Sequence, residues 1–365
     1  MISSKSTTNG FPNSNDSSGE KVPKMTKSNQ QSIIFVSETG DETISVYNIG
    51  SNGALSLRST NPAYGPSGAL CLHPKLEILY DAHVESTTIS SFKIDRATGN
   101  LSHQNQVNTG IDIPAHMAID SNGNFLLTAY YGGGGITVHK LESNGSIGNQ
   151  VQYIQTGEKA HAVYITPDDS FVFVPHVCPT NHIRQFIFDK ETGQLSDNTI
   201  PRLNPIDEQT GPRHICFHPS GDVAYVINEQ GMTITSFQYN RLNGLLETKQ
   251  HLSSLPDGAT NNTGATAHIE VHPNGKWLYG SNRGHDSIVR MAIAEDDSLK
   301  QPEFFCVPSS PRSFNIEATG QYLYCAGETA DKIRSFKINQ QNGNLSQLAD
   351  YNVGNKPFWV MATIL

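Results

Sequence analysis

One strand-and-turn pattern recurs seven times along the chain, with about 45 to 54 residues between successive copies. Each full copy runs into a turn, then an apolar strand, an alternating strand, a second turn and a fourth strand. Four strands per repeat of this length are typical of a β-propeller blade. The two-residue hydrophobic period, without a sustained helical period, predicts an all-β chain. The seven copies begin at Pro66, Pro114, Ala160, Pro212, Thr266, Pro311 and Pro357.

The repeat is out of phase with the two chain ends. The chain starts with second, third and fourth strands (33–36, 43–48 and 54–57) and finishes with a lone first strand, 358–364. If the last strand pairs with the first ones, the ring closes and no bare sheet edge remains. The sequence therefore predicts a single seven-bladed β-propeller of four-stranded antiparallel blades over residues 32–365. Residues 1–31, rich in Ser, Asn and Lys, are predicted to form a disordered polar tail.

Composition narrows the classes of partner. The formal net charge of −9 argues against binding to a nucleic-acid backbone. No apolar run approaches the roughly 20 residues of a membrane span, and no apolar signal core precedes the repeats. Five cysteines form no Cys-x-x-Cys pair, which favours reduced thiols and a cytoplasmic location. A closed ring needs no partner strand, so a monomer is expected.

Two positions in each repeat, which we call the rim positions, should lie at one rim of the ring, because they flank the same hairpin at similar distances from its turn. One starts the innermost strand and the other ends the second strand. Small or apolar residues such as Gly68 and Ala115 can fill these positions, and Tyr131 occupies one of them. Neighbouring blades instead place ionisable residues there, namely His161, Arg213, Glu229, Arg283, Arg312 and Glu328. Such a cluster in a concavity favours a functional site; the alternative is a wet, loop-rich rim that gathers charges without function.

The residue types at this rim indicate acid–base chemistry on an anion. Arginines offer forked donors that suit a phosphate or carboxylate, while Glu and His side chains can move protons near neutral pH. No Gly-x-Ser-x-Gly turn is present to support a covalent serine route. The glycine run 132–135 lacks the Lys-Ser/Thr ending of a phosphate loop and is interpreted as a turn.

Two further groups of histidines recur with the blades. One group precedes turn prolines at the far rim and is expected to hydrogen-bond within those turns: His73, His218 and His272. The other follows the strand-start position and indicates repeated packing, although His116 and His268 could instead border the cavity: His116, His214 and His268. No carboxylate or cysteine recurs beside them at ligand spacing, so neither a metal nor another cofactor is predicted.

Residues 211–219, Gly-Pro-Arg-His-Ile-Cys-Phe-His-Pro, and 225–229, Tyr-Val-Ile-Asn-Glu, resemble the signature of the seven-bladed lactonase family. That family includes propeller-type 6-phosphogluconolactonases and fungal 3-carboxy-cis,cis-muconate cyclases. The resemblance extends over residues 32–365 and implies a site made of His161, Arg213, Glu229 and Arg283. Arg312 matches a Pro-Arg of the phosphogluconolactonase branch. The chain departs from that branch in its N-terminal tail and in the longer loop 176–181, which should border the site.

The resemblance implies a hydrolase acting on carboxylic ester bonds, with 6-phosphoglucono-1,5-lactone of the pentose phosphate pathway as the expected substrate. In this hypothesis Arg213 and Arg283, with Arg312, bind the small anionic lactone and stabilise the oxyanion. Glu229 activates water and His161 protonates the leaving ring oxygen, or the two exchange these duties. The further candidates for substrate binding are Arg312, Glu328, Tyr131 and His268.

Two alternatives stay open at this point. A muconate cyclase would need the same anion clamp and acid, so the rim residues do not separate it from a lactonase. A non-catalytic binding propeller is the second alternative, because a fold does not establish a function. Docking propellers of the WD type carry Trp-Asp pairs, whereas neither Trp277 nor Trp359 is followed by Asp.

Overall fold

The computed structural model describes residues 31–259 and 264–365. Within these ranges the chain forms 28 strands in seven four-stranded antiparallel sheets, which confirms the predicted seven-bladed propeller. Apart from Gln31, the predicted tail 1–31 lies outside the described residues. No helix in the described part of the chain has the length and apolar character needed to cross a membrane.

Each blade takes its strands in chain order, except for the blade that joins the two chain ends. Blade 1 contains β28 (Pro357–Ile364), β1 (Ser32–Glu38), β2 (Thr43–Ile49) and β3 (Leu55–Pro62). Blade 2 contains β4 (Ser67–Leu72), β5 (Ile78–His83), β6 (Thr88–Ile94) and β7 (Leu101–Asn108). Blade 3 contains β8 (Pro114–Ile119), β9 (Phe125–Tyr130), β10 (Gly135–Leu141) and β11 (Ile147–Gln155). Blade 4 contains β12 (Tyr164–Ile165), β13 (Phe171–His176), β14 (His182–Phe188) and β15 (Leu195–Leu203). Blade 5 contains β16 (Pro212–Phe217), β17 (Val223–Asn228), β18 (Thr233–Asn240) and β19 (Leu245–Ser253). Blade 6 contains β20 (Ala265–Val271), β21 (Trp277–Arg283), β22 (Ser287–Ile293) and β23 (Leu299–Cys306). Blade 7 contains β24 (Pro311–Ile316), β25 (Tyr322–Gly327), β26 (Lys332–Ile338) and β27 (Leu345–Asn352).

The ring closes where β28 pairs with β1, as the offset repeat predicts. The pairing is antiparallel and runs from Ser32 opposite Ile364 to Glu38 opposite Pro357. Gln31 and Leu365 extend it with two backbone hydrogen bonds of 3.2 and 3.0 Å. The ladder satisfies backbone groups that an open ring would leave bare, and it joins the two ends of the repeat array.

The hydrophobic core lies between the faces of adjacent blades. One cluster joins blades 3 and 4 through residues such as Leu127 and Phe186, and another joins blades 1 and 7 through Ile34 and Tyr324. The second strand of a blade has a neighbour on both faces, so strands such as β9 and β17 are buried along their whole length. This explains their continuous apolar runs, since no face of these strands meets water.

Polar contacts at the blade turns reinforce this packing. The Tyr80 and Tyr279 hydroxyls donate to glycine carbonyls at 2.7 and 2.6 Å. The far-rim histidines accept backbone N–H groups of their own turns at 3.0 to 3.1 Å, which confirms the expected hydrogen bonds. Their Nε2 atoms also lie 2.8 to 3.2 Å from glycine carbonyls of the following blade. At Gly123, where φ is +76°, a Cβ atom would clash with the His73 ring, so this contact requires glycine.

Candidate active site

A β-bulge near the start of the innermost strand turns one residue of a blade toward the rim of the ring. In blade 5 the pairing skips Arg213, because Pro212 faces Asn228 and His214 faces Ile227. Blade 7 skips Arg312 in the same way. The extra residue in a bulge bends the strand and redirects a side chain. This geometry is why the strand-start position predicts the rim residues.

The rim encloses an open cavity of about 320 Å³. The two rim positions supply most of its walls, including the predicted Tyr131, His161, Glu229, Arg283, Arg312 and Glu328. Glu85 and Ile113 also line it and are absent from the sequence-based prediction. Glu85 follows the second-strand rim position of its blade by one residue, so a wider window on the repeat would have included it. The remaining wall residues are Val84, Ala115 and Phe358.

The Arg213 side chain is not among the residues that line this cavity. It is 2 % exposed, and its Nε atom donates to Glu229 Oε2 at 2.7 Å. Its Nη1 atom donates to the Ala267 carbonyl of the next blade. Burial lowers the pKa of Arg213 to about 9, opposed by the Glu229 charge, so the guanidinium stays charged at neutral pH. These contacts make Arg213 a support for Glu229, and direct contact between Arg213 and the substrate stays a prediction.

Glu229 sits where the cationic groups of the site meet. Its backbone N–H donates to the Gly211 carbonyl at 2.6 Å, which holds it at the end of β17. Besides the Arg213 bond, Oε2 lies 3.3 Å from Arg283 Nη2 and 3.8 Å from His161 Nε2. The side chain is 14 % exposed. A carboxylate held by a buried arginine has a fixed direction, and one side of it remains open to the cavity.

His161 lines the cavity with a mostly buried imidazole. Its side chain is 6 % exposed, and its backbone N–H donates to the Pro175 carbonyl at 3.0 Å. Burial, together with the charges of Arg213, Arg312 and Arg283, holds the pKa of His161 well below its ordinary value. The resting side chain therefore accepts a proton rather than carrying one. Of the two sequence-based assignments, this favours His161 as the base.

Arg283 and Arg312 present cationic donors to the cavity. Arg283 Nη2 donates to the Thr266 carbonyl at 2.9 Å. The Arg312 guanidinium lies 4.2 Å from the centre of the Phe358 ring and 3.7 Å from Glu328 Oε2. Within the described residues, the buried Nε atoms of both arginines have no hydrogen-bond partner. Both residues also line the cavity, where their guanidinium groups can donate to a bound anion.

His268 does not line the cavity, unlike the other predicted binding residues. Its Nδ1 lies 3.0 Å from His214 Nδ1 and its Nε2 lies 3.1 Å from Glu270 Oε1. The His116 ring lies 4.7 Å from the Tyr164 ring, and burial lowers the pKa of His116 to about 3. Both histidines occupy the packed innermost strands, in agreement with the packing interpretation rather than the cavity alternative.

The loop 176–181, in which the chain departs from the phosphogluconolactonase branch, contacts the segments next to Glu229. Its Cys178 N–H donates to the Gln230 side chain at 3.2 Å, next to Glu229. Asn181 Oδ1 accepts the Gly211 N–H at 2.7 Å. The loop thus contacts both segments that position the blade 5 part of the site. Among the described residues, no group of three or more His, Cys, Asp or Glu side chains is arranged to hold a metal ion.

Fold and site together define a seven-bladed propeller whose rim carries a neutral histidine, a supported carboxylate and two cavity-lining arginines. Residues 37–362 match the family described as lactonase, 7-bladed beta-propeller. The chain belongs to this lactonase family, as its blade 5 motif predicts.

Individual relatives agree with this assignment. The 6-phosphogluconolactonase of Pectobacterium carotovorum is 30% identical over 340 residues, which cover 92% of this chain and 99% of the relative. A Bacteroides fragilis protein proposed to be a 6-phosphogluconolactonase has a similar solved structure, with a TM-score of 0.84 and 23% identity over 93% of this chain and 100% of that one. The periplasmic gluconolactonase of Pseudomonas aeruginosa has a TM-score of 0.81 and 21% identity over 91% of this chain and 99% of its own. At these identities the two solved structures support the fold alone.

Proposed function

We propose that this protein hydrolyses 6-phosphoglucono-1,5-lactone to 6-phosphogluconate. One observation carries the proposal: a neutral His161 lies 3.8 Å from Glu229 in a cavity that Arg283 and Arg312 also line. Hydrolysis of a lactone needs a base for water, a positive environment for the oxyanion and a proton for the leaving oxygen. The 6-phosphogluconolactonase of Pectobacterium carotovorum, which matches this chain over 92% of its length, supports the choice of substrate.

In the first step His161 acts as the general base. It takes a proton from a water molecule, whose oxygen forms a bond with the lactone carbonyl carbon. The resulting imidazolium lies beside the Glu229 carboxylate, which stabilises the new positive charge. Arg213 keeps that carboxylate in place through its 2.7 Å hydrogen bond. Glu229 then acts as the partner of His161 rather than as the base.

In the second step the tetrahedral intermediate collapses. Arg283 and Arg312, whose side chains line the cavity, stabilise the negative charge on the former carbonyl oxygen. The bond between the carbonyl carbon and the ring oxygen breaks, and the ring oxygen receives from His161 the proton that came from water. The product is an open-chain carboxylic acid, which ionises and releases one proton to solvent.

The phosphate end of the substrate needs a further cation. The cavity arginines already lie near carboxylates, Arg283 near Glu229 and Arg312 near Glu328. The Lys159 ammonium lies 5.4 Å from the centre of the Tyr131 ring, which lines the cavity. Lys159 is therefore the residue that we assign to the phosphate group, as a point charge near the cavity wall.

Acid release by purified protein tests the proposal directly. A pH-stat should record hydrolysis of 6-phosphoglucono-1,5-lactone well above the spontaneous rate, and treatment with a chelator should leave the rate unchanged. Glu229→Gln and His161→Gln should each lower turnover by at least about 100-fold. A wild-type rate equal to the spontaneous rate would refute the proposal. Turnover of 3-carboxy-cis,cis-muconate alone would establish the cyclase alternative, and loss of activity on chelation would refute the metal-independent route.

A further inference from the structure

A row of polar side chains continues from Arg213 along the innermost strands of blades 5 and 6. The Arg213 Nη1 atom lies 3.1 Å from His214 Nε2 and 3.4 Å from His214 Nδ1. His214 Nδ1 lies 3.0 Å from His268 Nδ1, and His268 Nε2 lies 3.1 Å from Glu270 Oε1. We name Arg213, His214, His268 and Glu270 the histidine chain. The histidine chain links Arg213, which supports Glu229, to Glu270, a second carboxylate outside the cavity.

If each imidazole carries one proton, the two ends of the histidine chain determine the directions of these hydrogen bonds. The Glu270 carboxylate can only accept a hydrogen bond, so His268 Nε2 carries a proton and donates to it. In a neutral His268 ring, Nδ1 is then a hydrogen-bond acceptor. His214 Nδ1 must then donate to it, which leaves His214 Nε2 as an acceptor. A guanidinium only donates hydrogen bonds, and Arg213 Nη1 lies 3.1 Å from that acceptor and 3.4 Å from His214 Nδ1. With one proton on each imidazole, every member of the histidine chain has a compatible partner.

Glu270, the outer end of the histidine chain, is held by hydrogen bonds from blade 7. Glu270 Oε1 also accepts the Asn315 side-chain amide at 2.6 Å, and Oε2 accepts the Ile316 N–H at 2.9 Å. Trp359 packs against the two histidines in the middle of the histidine chain. The Trp359 ring lies 5.9 Å from the His214 ring and 5.4 Å from the His268 ring. The His214 side chain is buried, so its imidazole has few competing water partners, whereas the His268 side chain is 11 % exposed.

We propose that His214, His268 and Glu270 are positioning residues for lactone hydrolysis. Their one-way hydrogen bonds hold the Arg213 guanidinium, which in turn holds the Glu229 carboxylate beside His161. The inference rests on the proposed function of the site but concerns residues that do not touch the substrate. A carboxylate displaced by a fraction of an ångström would stabilise the imidazolium less well, so the histidine chain affects kcat rather than substrate binding.

The test variant is His268→Phe, which keeps an aromatic ring against Trp359 and removes both ring nitrogens. It leaves His214 Nδ1 without its acceptor, so that ring is free to place its proton on Nε2, facing Arg213. We expect kcat to fall by roughly 10- to 100-fold while KM stays unchanged. The matched control is His116→Phe, because the His116 ring packs against Trp359 at 5.7 Å and against His214 at 5.6 Å, while its buried Nδ1 has no hydrogen-bond partner in the described residues. The control should keep the wild-type kcat.

Two further measurements separate positioning from general damage. In an Arg213→Lys background His268→Phe should lower kcat much less than in the wild type, because both changes act on the same contact. Nitrogen-15 NMR of the wild type should show His214 protonated at Nδ1 and His268 at Nε2. If His268→Phe does not fold, Glu270→Gln provides the kinetic test, since it removes the carboxylate that sets the direction.

The outcomes distinguish the two proposals. A folded His268→Phe protein with wild-type kcat, an equal loss in His116→Phe, or the opposite tautomers in the NMR spectrum would each overturn the histidine chain. Any of these results with an active wild type leaves lactone hydrolysis intact. A wild type without lactonase activity overturns the proposed function, and the tautomers still report whether the hydrogen-bond directions exist.

Discussion

Replacing Arg213 with lysine distinguishes the two roles that sequence and structure assign to this residue. In the folded protein one guanidinium serves three acceptors, Glu229 Oε2 through Nε, and the Ala267 carbonyl and His214 Nε2 through Nη1. Lysine keeps the charge but has a single terminal nitrogen, so it cannot reproduce all of these contacts. Arg213→Lys therefore tests the geometry of the fork rather than the presence of a cation.

The expected decrease in kcat follows from the hydrogen bond that Arg213→Lys removes. A hydrogen bond to a charged group is worth about 1.5–3 kcal/mol, which corresponds to roughly 10- to 150-fold in rate if it acts only in the transition state. We expect kcat to fall within this range and KM for the lactone to stay nearly constant, because Arg213 is 2 % exposed and outside the cavity wall. Arg213→Ala is a poorer test, since breaking a buried ion pair costs about 3–5 kcal/mol of folding stability.

Steady-state kinetics with 6-phosphoglucono-1,5-lactone, alongside urea unfolding, would measure both effects. Arg290→Lys is the matched control. Arg290 is 5% exposed and donates to the Gln301 carbonyl at 3.2 Å, on a strand pair of blade 6 outside the cavity wall. The Arg290→Lys variant should have a lower free energy of unfolding and the same kcat as the wild type. A higher KM for Arg213→Lys with an unchanged kcat would refute the supporting role and restore direct substrate contact.

Three other predictions follow from the site and the blade packing. Because the pKa of His161 lies well below 6.5, the base form persists as the pH falls, so kcat/KM should stay level through pH 6.5 and decline only well below it; a decline centred near 6.5 that disappears in His161→Gln would contradict this. Lys159→Met should raise KM for the phosphorylated lactone by about tenfold and leave kinetics with unphosphorylated gluconolactone unchanged; equal effects on both substrates would remove Lys159 from the phosphate end. Tyr279→Phe should lower the free energy of unfolding by about 1 kcal/mol, because the hydroxyl donates to the Gly343 carbonyl at 2.6 Å. Tyr225→Phe is its control: in the described residues the Tyr225 hydroxyl has no partner, so the change should cost less than about 0.5 kcal/mol, and equal losses in urea unfolding would show that the interblade bond contributes nothing.

Much of the site could be predicted from the repeat because corresponding blade positions occupy corresponding places in the ring. The strand-start position coincides with the bulge that carries Arg312, and the second-strand end carries Glu229 and Arg283. Glu85 escapes the prediction because it lies one residue past the rim position at the end of its strand. His268 is assigned to binding because its neighbours along the strand belong to the rim, whereas its side chain bonds to Glu270 within the innermost strands.

The sequence by itself determined the all-β class, the blade count and the rim, because strand period and turn spacing are local properties that repeat. Only the tertiary structure decided what each charge at that rim does. Arg213 and Arg312 occupy the same bulge position in two blades, yet their side chains are 2 % and 22 % exposed. The difference comes from neighbouring blades, since the carbonyl of Ala267 and the ring of Phe358 belong to segments remote in sequence. Burial and the charges of Arg213, Arg283 and Arg312 likewise lower the pKa of His161. Because these arginines belong to other blades, the residue spacing within one repeat does not predict their effect on His161.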